Sequence, residues 1–130
     1  MAETKRNLIY ANECYRIMGL IFEVYNDIGF GHKESFYQKA LAETFKENNI
    51  EFKEQLKAKL KYKGKDLGIY ILDFLVFDKI ILELKQKDFF SIKDILQLSR
   101  YLKTTRLKLG ILIHFTSKGV RYKRILNIKR

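Results

Sequence analysis

At 130 residues, 47% hydrophobic and 14% aromatic, the chain has material for a single core, and one domain spanning residues 1–130 is expected. Its 26 basic against 15 acidic side chains, a net charge of +11, favour a polyanionic partner such as nucleic acid over a small acidic ligand. Cys14 is the only cysteine, which excludes an internal disulfide framework and a Cys-based zinc site. The opening residues lack a signal peptide's apolar core, and no run approaches the roughly 18 apolar residues of a membrane span, so a cytoplasmic protein with no membrane contact is expected.

From residue 12 to 27, Ile17, Met18, Ile21, Phe22 and Tyr25 recur at helical spacing, with Asn12 able to cap the start and Gly29 able to end the helix. The turn GFGH at 29–32 leads to a second helix over 35–47, with Phe36, Ala40, Leu41 and Phe45 expected on its buried side. Alternation then takes over. Leu56, Ala58, Leu60 and Tyr62 interleave with Lys57, Lys59, Lys61 and Lys63, the period of a half-exposed strand. After a turn at 63–65, residues 69–77 and 80–85 are apolar on both faces and predict a hairpin in the middle of a covered sheet, turning at Asp78 and Lys79. Ser91 and Asp94 have capping-box spacing and open a third helix to about residue 103. Residues 109–115 read as a buried strand and 120–128 as a last one. The order is helix, helix, three strands, helix, two strands.

The hairpin contains a conflict. Asp73, Glu83 and Lys85 lie in the most apolar stretch of the chain, where an uncompensated charge costs several kcal/mol or shifts its pKa until it is neutral. Glu83 and Lys85, two apart on a strand, share a face. If Asp73 meets Glu83, the two carboxylates form a hard, oxygen-rich site suited to Mg²⁺ or Mn²⁺. A two-residue turn instead pairs Asp73 with Leu84 and puts it on the opposite face, so the site requires a three-residue turn or a bulge. The alternative is an internal ion pair between Lys85 and one acid near the strand ends.

Gly31, Glu34 and Tyr37 in GHKESFY spell GxxExxY, and ILDFLVFDKIILELK followed by Gln97 and Tyr101 in QLSRYL continues the same pattern over residues 17–127. In these motifs the chain resembles the GxxExxY family, which is similar to the PD-(D/E)xK nuclease superfamily. The resemblance implies an α/β fold, a restriction-endonuclease-like core with a mixed central sheet flanked by helices. It implies Asp73, Glu83 and Glu34 as metal ligands with the main chain of Leu84, Lys85 as the catalytic lysine, and Gln97 and Tyr101 looking toward the site. It also implies hydrolysis of phosphodiester bonds with Mg²⁺ or Mn²⁺. Two prolines of the pattern are absent, their places held by Leu72 and Phe30.

The residues also have plainer readings. Glu34 favours the positive start of a helix, Gln97 is an ordinary polar helix residue, and Tyr101 is a core-edge aromatic. Neither His32 nor His114 has a partner at ligand spacing, and His114 reads as structural. Phe89 and Phe90 read as core or lid, and Cys14 as core. After Asp94 the chain has ten Lys or Arg and no carboxylate. Of these, Arg100, Lys103, Arg106, Lys108, Lys118, Arg121, Lys123 and Arg124 are the expected contacts to a phosphate backbone, DNA more than RNA. A homodimer would let a single small site act on both strands. The competing function is a non-catalytic nucleic-acid-binding or scaffold protein on the same fold.

Overall fold

The computed structural model describes residues 8–128. Its elements follow the expected order: α1 (Ala11–Ile28), α2 (Glu34–Glu47), β1 (Phe52–Tyr62), β2 (Lys65–Val76), β3 (Ile80–Lys85), α3 (Ile92–Thr105), β4 (Leu109–Thr116) and β5 (Gly119–Leu126). The strands form one mixed sheet in the order β1-β2-β3-β4-β5, in which only β3 and β4 run parallel. That parallel pair needs a crossover, and α3 supplies it.

The sheet is covered on both faces. Ile17, Ile21, Leu41 and Phe45 from α1 and α2 meet Phe74, Leu82, Ile111 and Ile113 on one side; Leu98, Tyr101 and Leu102 from α3 meet Leu72, Ile81 and Leu112 on the other. The middle strands β3 and β4 are therefore buried along nearly their whole length and mostly apolar, with Glu83, His114 and Thr116 as their buried polar residues. Gly110 brings α3 close: a Cβ there would lie 2.8 Å from Leu98 Cδ1. No helix among the described residues is long and apolar enough to cross a membrane.

Several local expectations are corrected. Asn12 does not cap α1; Tyr10 precedes the helix in a left-handed conformation, with no side-chain cap. Phe36 is exposed, and the inner face of α2 is Tyr37, Leu41, Ala42 and Phe45. β2 is not covered along its whole length, since Ile69 and Ile71 stand half in solvent and burial begins at Leu72. The hairpin turn has three residues: Val76 pairs with Ile80, and Phe77 and Asp78 both take positive φ (56° and 60°). The Gly29 stop and the Ser91 cap are as expected, the latter accepting from Asp94 N–H at 3.1 Å.

Between Gln55 and Asp73 the β1–β2 ribbon exchanges its faces. Phe52, Phe74 and Val76 point to the α1/α2 side, whereas Leu56, Ala58, Tyr70 and Leu72 point to the α3 side. Gln55 absorbs this half-turn with φ 53°, and on β2 it falls at Asp73. Regular β2–β3 pairing ends at Phe74 and Leu82, so the strands part where the acids begin.

Candidate active site

The three-residue turn decides whether the acids meet. Counting on from Phe74 opposite Leu82, Asp73 faces Glu83, and each carboxylate takes over a backbone bond of the interrupted ladder. Asp73 N–H donates to Glu83 Oε1 at 3.1 Å, and Leu84 N–H donates to Asp73 Oδ2 at 2.8 Å. These bonds fix both side chains and leave each one further oxygen for another partner.

The electrostatics of the pair are unfavourable. Burial raises the Asp73 carboxyl above the usual aspartate range, despite the Leu84 N–H and the positive charge of Lys85. Glu83, 7% exposed, is pushed up to about 8, first by burial and then by the charge of Asp73. Lys85 does not close an ion pair with either acid. Its Nζ lies 3.8 Å from Asp94 Oδ1, and Lys87 Nζ lies 2.5 Å from Asp94 Oδ2. Burial alone would raise the Asp94 carboxyl, but the hydrogen bonds from Lys87 and Ser91 and the charge of Lys85 bring it below its ordinary value.

The internal ion pair weighed as an alternative therefore exists, but with Asp94, an acid that sequence spacing read only as a helix-start residue. Asp94 was the functional neighbour missed. The only signal was a buried-side acid one turn into a helix that follows ExK directly.

Glu34 stands at the start of α2, where its Oε2 accepts from Gln86 N–H at 3.0 Å, one residue beyond Lys85. Its charge reaches both Asp73 and Glu83 and raises them further. The rest of GxxExxY is architectural. Gly31 adopts φ 101° in the turn, a conformation that favours glycine. Tyr37 is fully buried, stacks on Phe115 at 4.0 Å between ring centres, and donates to Gly29 O at 2.6 Å, fastening the turn that delivers Glu34.

From the other side, α3 brings Tyr101 and Gln97. The Tyr101 hydroxyl, hydrogen-bonded to Gln97, is raised in pKa by burial and by the charges of Glu83, Tyr70 and Asp73, so it remains a neutral phenol. Its ring meets Tyr70 edge-on at 4.4 Å.

The eight basic residues do not form one surface. Lys118 and Arg121 lie at the end of the sheet where β3 and β4 terminate, near the acids, and Lys123 sits 5.8 Å over the Phe90 ring. Arg106 and Lys108 flank the start of β4, at the opposite end, and Arg100 and Lys103 are on the solvent side of α3. Arg124 turns toward α1, donating to Ile9 O at 2.7 Å and approaching Cys14 Sγ at 3.1 Å. His114 is buried against Phe90, with Nδ1 3.1 Å from Lys87 O, and Cys14 is buried in the core. Phe89 is largely exposed.

Among the described residues, no three His, Cys, Asp or Glu side chains converge tightly enough to enclose a metal ion. The donors that fit one are the further oxygens of Asp73 and Glu83, with the carbonyl of Leu84, the residue after Glu83. Two crowded, desolvated carboxylates with no cation in ion-pair contact among the described residues have the hard-oxygen chemistry that a divalent ion satisfies.

No curated protein matches the chain. Among solved structures, an alkaline exonuclease (LHK-Exo) from Laribacter hongkongensis superposes with a TM-score of 0.54 at 14% identity, covering 97% of this chain and 73% of its own. The same enzyme in complex with dAMP gives 0.54 at 13%, covering 91% and 71%. The protein SSO0001 gives 0.57 at 20% over 74% of this chain, which spans half of the SSO0001 length. At such identities the likeness is one of fold. The family model of the PD-(D/E)XK nuclease superfamily matches residues 11–125, nearly the whole length, and the chain belongs to that superfamily.

Proposed function

We propose that this protein is a metal-dependent nuclease, of the GxxExxY branch, that hydrolyses phosphodiester bonds with Mg²⁺ or Mn²⁺ held by Asp73 and Glu83. The observation that carries the reading is the cross-strand carboxylate pair. A buried and a half-buried acid replace ladder bonds between strands that part at that point; burial raises both pKa values, the charge of Asp73 adds to the rise at Glu83, and that of Glu34 adds to both. An arrangement so costly to the fold is what a cation site requires. Bound there, the metal would polarise a phosphoryl oxygen and lower the pKa of its water.

The remaining roles belong to the chain itself. Glu34, tethered to Gln86 N–H, is the third acid, which would accept a hydrogen bond from water or act as a ligand to the metal from the α2 side. Lys85, oriented by Asp94, presents a positive charge to the phosphate as negative charge grows on its oxygens. Tyr101, neutral and steadied by Gln97, donates a hydrogen bond rather than taking a proton. Lys118 and Arg121, at the same end of the sheet, hold the flanking phosphates. DNA is the favoured substrate; the dAMP complex of a structural neighbour supports a deoxynucleotide.

The test is cleavage of labelled single- and double-stranded DNA and RNA at low salt with Mg²⁺, Mn²⁺ or EDTA. Cutting that needs metal and falls at least about a thousandfold in Glu83→Gln and Asp73→Asn is expected. Binding of the panel by all three proteins with no cutting by any would leave the non-catalytic reading in its place.

A further inference from the structure

Basic residues also gather outside the segment after Asp94. Beyond the half-turn at Gln55 and Asp73, β1 and β2 continue as a two-stranded arm whose α3-side face is packed: Leu56, Ala58, Tyr70 and Leu72 lie in or against the α3 cluster. Its other face is open. There Lys57 is paired directly with Ile71, and Lys59 with Ile69, and cross-strand partners share a face. All four are exposed, the isoleucines by 50% and 56%.

Two features separate this face from ordinary solvated surface. Neither Lys57 nor Lys59 is in an ion pair among the described residues, whereas Lys61, farther out, is matched by Asp66 at 3.9 Å. Secondly, the isoleucines are not scattered: they form a short apolar row flush beside the ammonium row, and that row leads along β2 to Asp73 two residues on.

We propose that this face of the arm is a binding track for a single strand of nucleic acid, leading it to Asp73 and Glu83. Lysines on alternate strand residues recur at roughly 6.7 Å, close to the separation of adjacent phosphates along an extended strand. The isoleucine row beside them supplies apolar surface for base and sugar faces, which a single strand exposes and a duplex keeps stacked. The unpaired positive charge selects a polyanion over a second copy of this chain, which would set lysine against lysine. The track rests on the nuclease reading only for where the strand is led, not for its being bound.

The test is anisotropy of labelled single-stranded and duplex DNA and single-stranded RNA with the full chain, in EDTA so that nothing is cut. Glu83→Gln serves as the parent, and salt is varied. Lys57→Gln with Lys59→Gln should weaken single-strand binding about five-fold or more at low salt and flatten the log–log salt slope by about 1.4, two released counterions. Ile69→Thr with Ile71→Thr should weaken single-strand binding and leave the slope unchanged. All four positions are exposed, so circular dichroism should show intact folds.

Single-strand affinity and slope that are the same in the lysine pair as in the parent would overturn the track. So would a preference for duplex that the isoleucine pair does not alter. A parent that self-associates in sedimentation, and becomes monomeric on Ile69→Thr with Ile71→Thr while strand binding is untouched, would overturn it in favour of a second copy. If the metal-dependent cleavage test fails while these affinities behave as stated, the nuclease reading falls and the track stands.

Discussion

Asp73, Glu83 and Asp94 are three buried or half-buried acids within one short stretch of space, and they are treated differently. Asp94 is matched by two ammonium groups and a hydrogen bond between its carboxylate and the Ser91 side chain, so its pKa falls despite burial. Glu83 is matched by one backbone N–H against burial and a neighbouring charge, so its pKa rises to about 8. The stability consequences have opposite sign. Between the ordinary value of 4.5 and about 8, folded Glu83 holds a proton that the unfolded chain has lost, so its contribution falls as pH rises through that window. Metal-free Glu83→Gln should therefore melt higher than wild type at pH 8.5 and by much less at pH 5, the two thermal melts being the check. Asp94→Asn should be destabilised by about 2 kcal/mol at pH 7, and the deficit should shrink as pH falls through the depressed Asp94 pKa, where wild type loses the same pairs. At this scale the sequence named the acids by their apolar surroundings. It could not pair Lys85 with Asp94, because that contact depends on how α3 docks.

Among elements, the hairpin turn and the α3 crossover position the site. The strands were legible from alternation and from apolar runs, and the helices from their period and from Ser91. The register was not legible. A two-residue turn at Asp78 and Lys79 would have put Asp73 on the wrong face, and the turn that forms uses positive φ at Phe77 and Asp78, where no glycine announces it. The face exchange at Gln55 is hidden for the same reason, and it explains why Ile69 and Ile71, apolar in sequence, stand outside. The docking of α3 depends on Gly110, over which Leu98 lies flat. Gly110→Ala would press a methyl into the buried Leu98 side chain, and a loss of about 1–3 kcal/mol in denaturant unfolding is expected. Because α3 carries Asp94, Gln97 and Tyr101, that variant should lose activity along with stability.

For the molecule as a whole, composition foretold a polyanion but not where it lies. The basic residues after Asp94 read as one block in sequence, yet the parallel β3–β4 pair divides them: Lys118 and Arg121 fall at the end with the acids, Arg106 and Lys108 at the other. The arm lysines, read in sequence as the solvated side of a strand, are closer along the sheet to Asp73 than that second group. Binding should therefore weaken steeply with salt and show little sequence preference. The nuclease reading rests on the claim that the desolvated acid pair is a cation site. The most direct measurement is calorimetric titration of Mn²⁺ into metal-free protein at pH 7, in two buffers of different ionisation enthalpy. Wild type should bind the ion with release of a proton, because Glu83 is largely protonated beforehand, and Glu83→Gln should lose both the affinity and the release. Mn²⁺ binding of equal affinity in wild type and Glu83→Gln, or no binding by either, would contradict it.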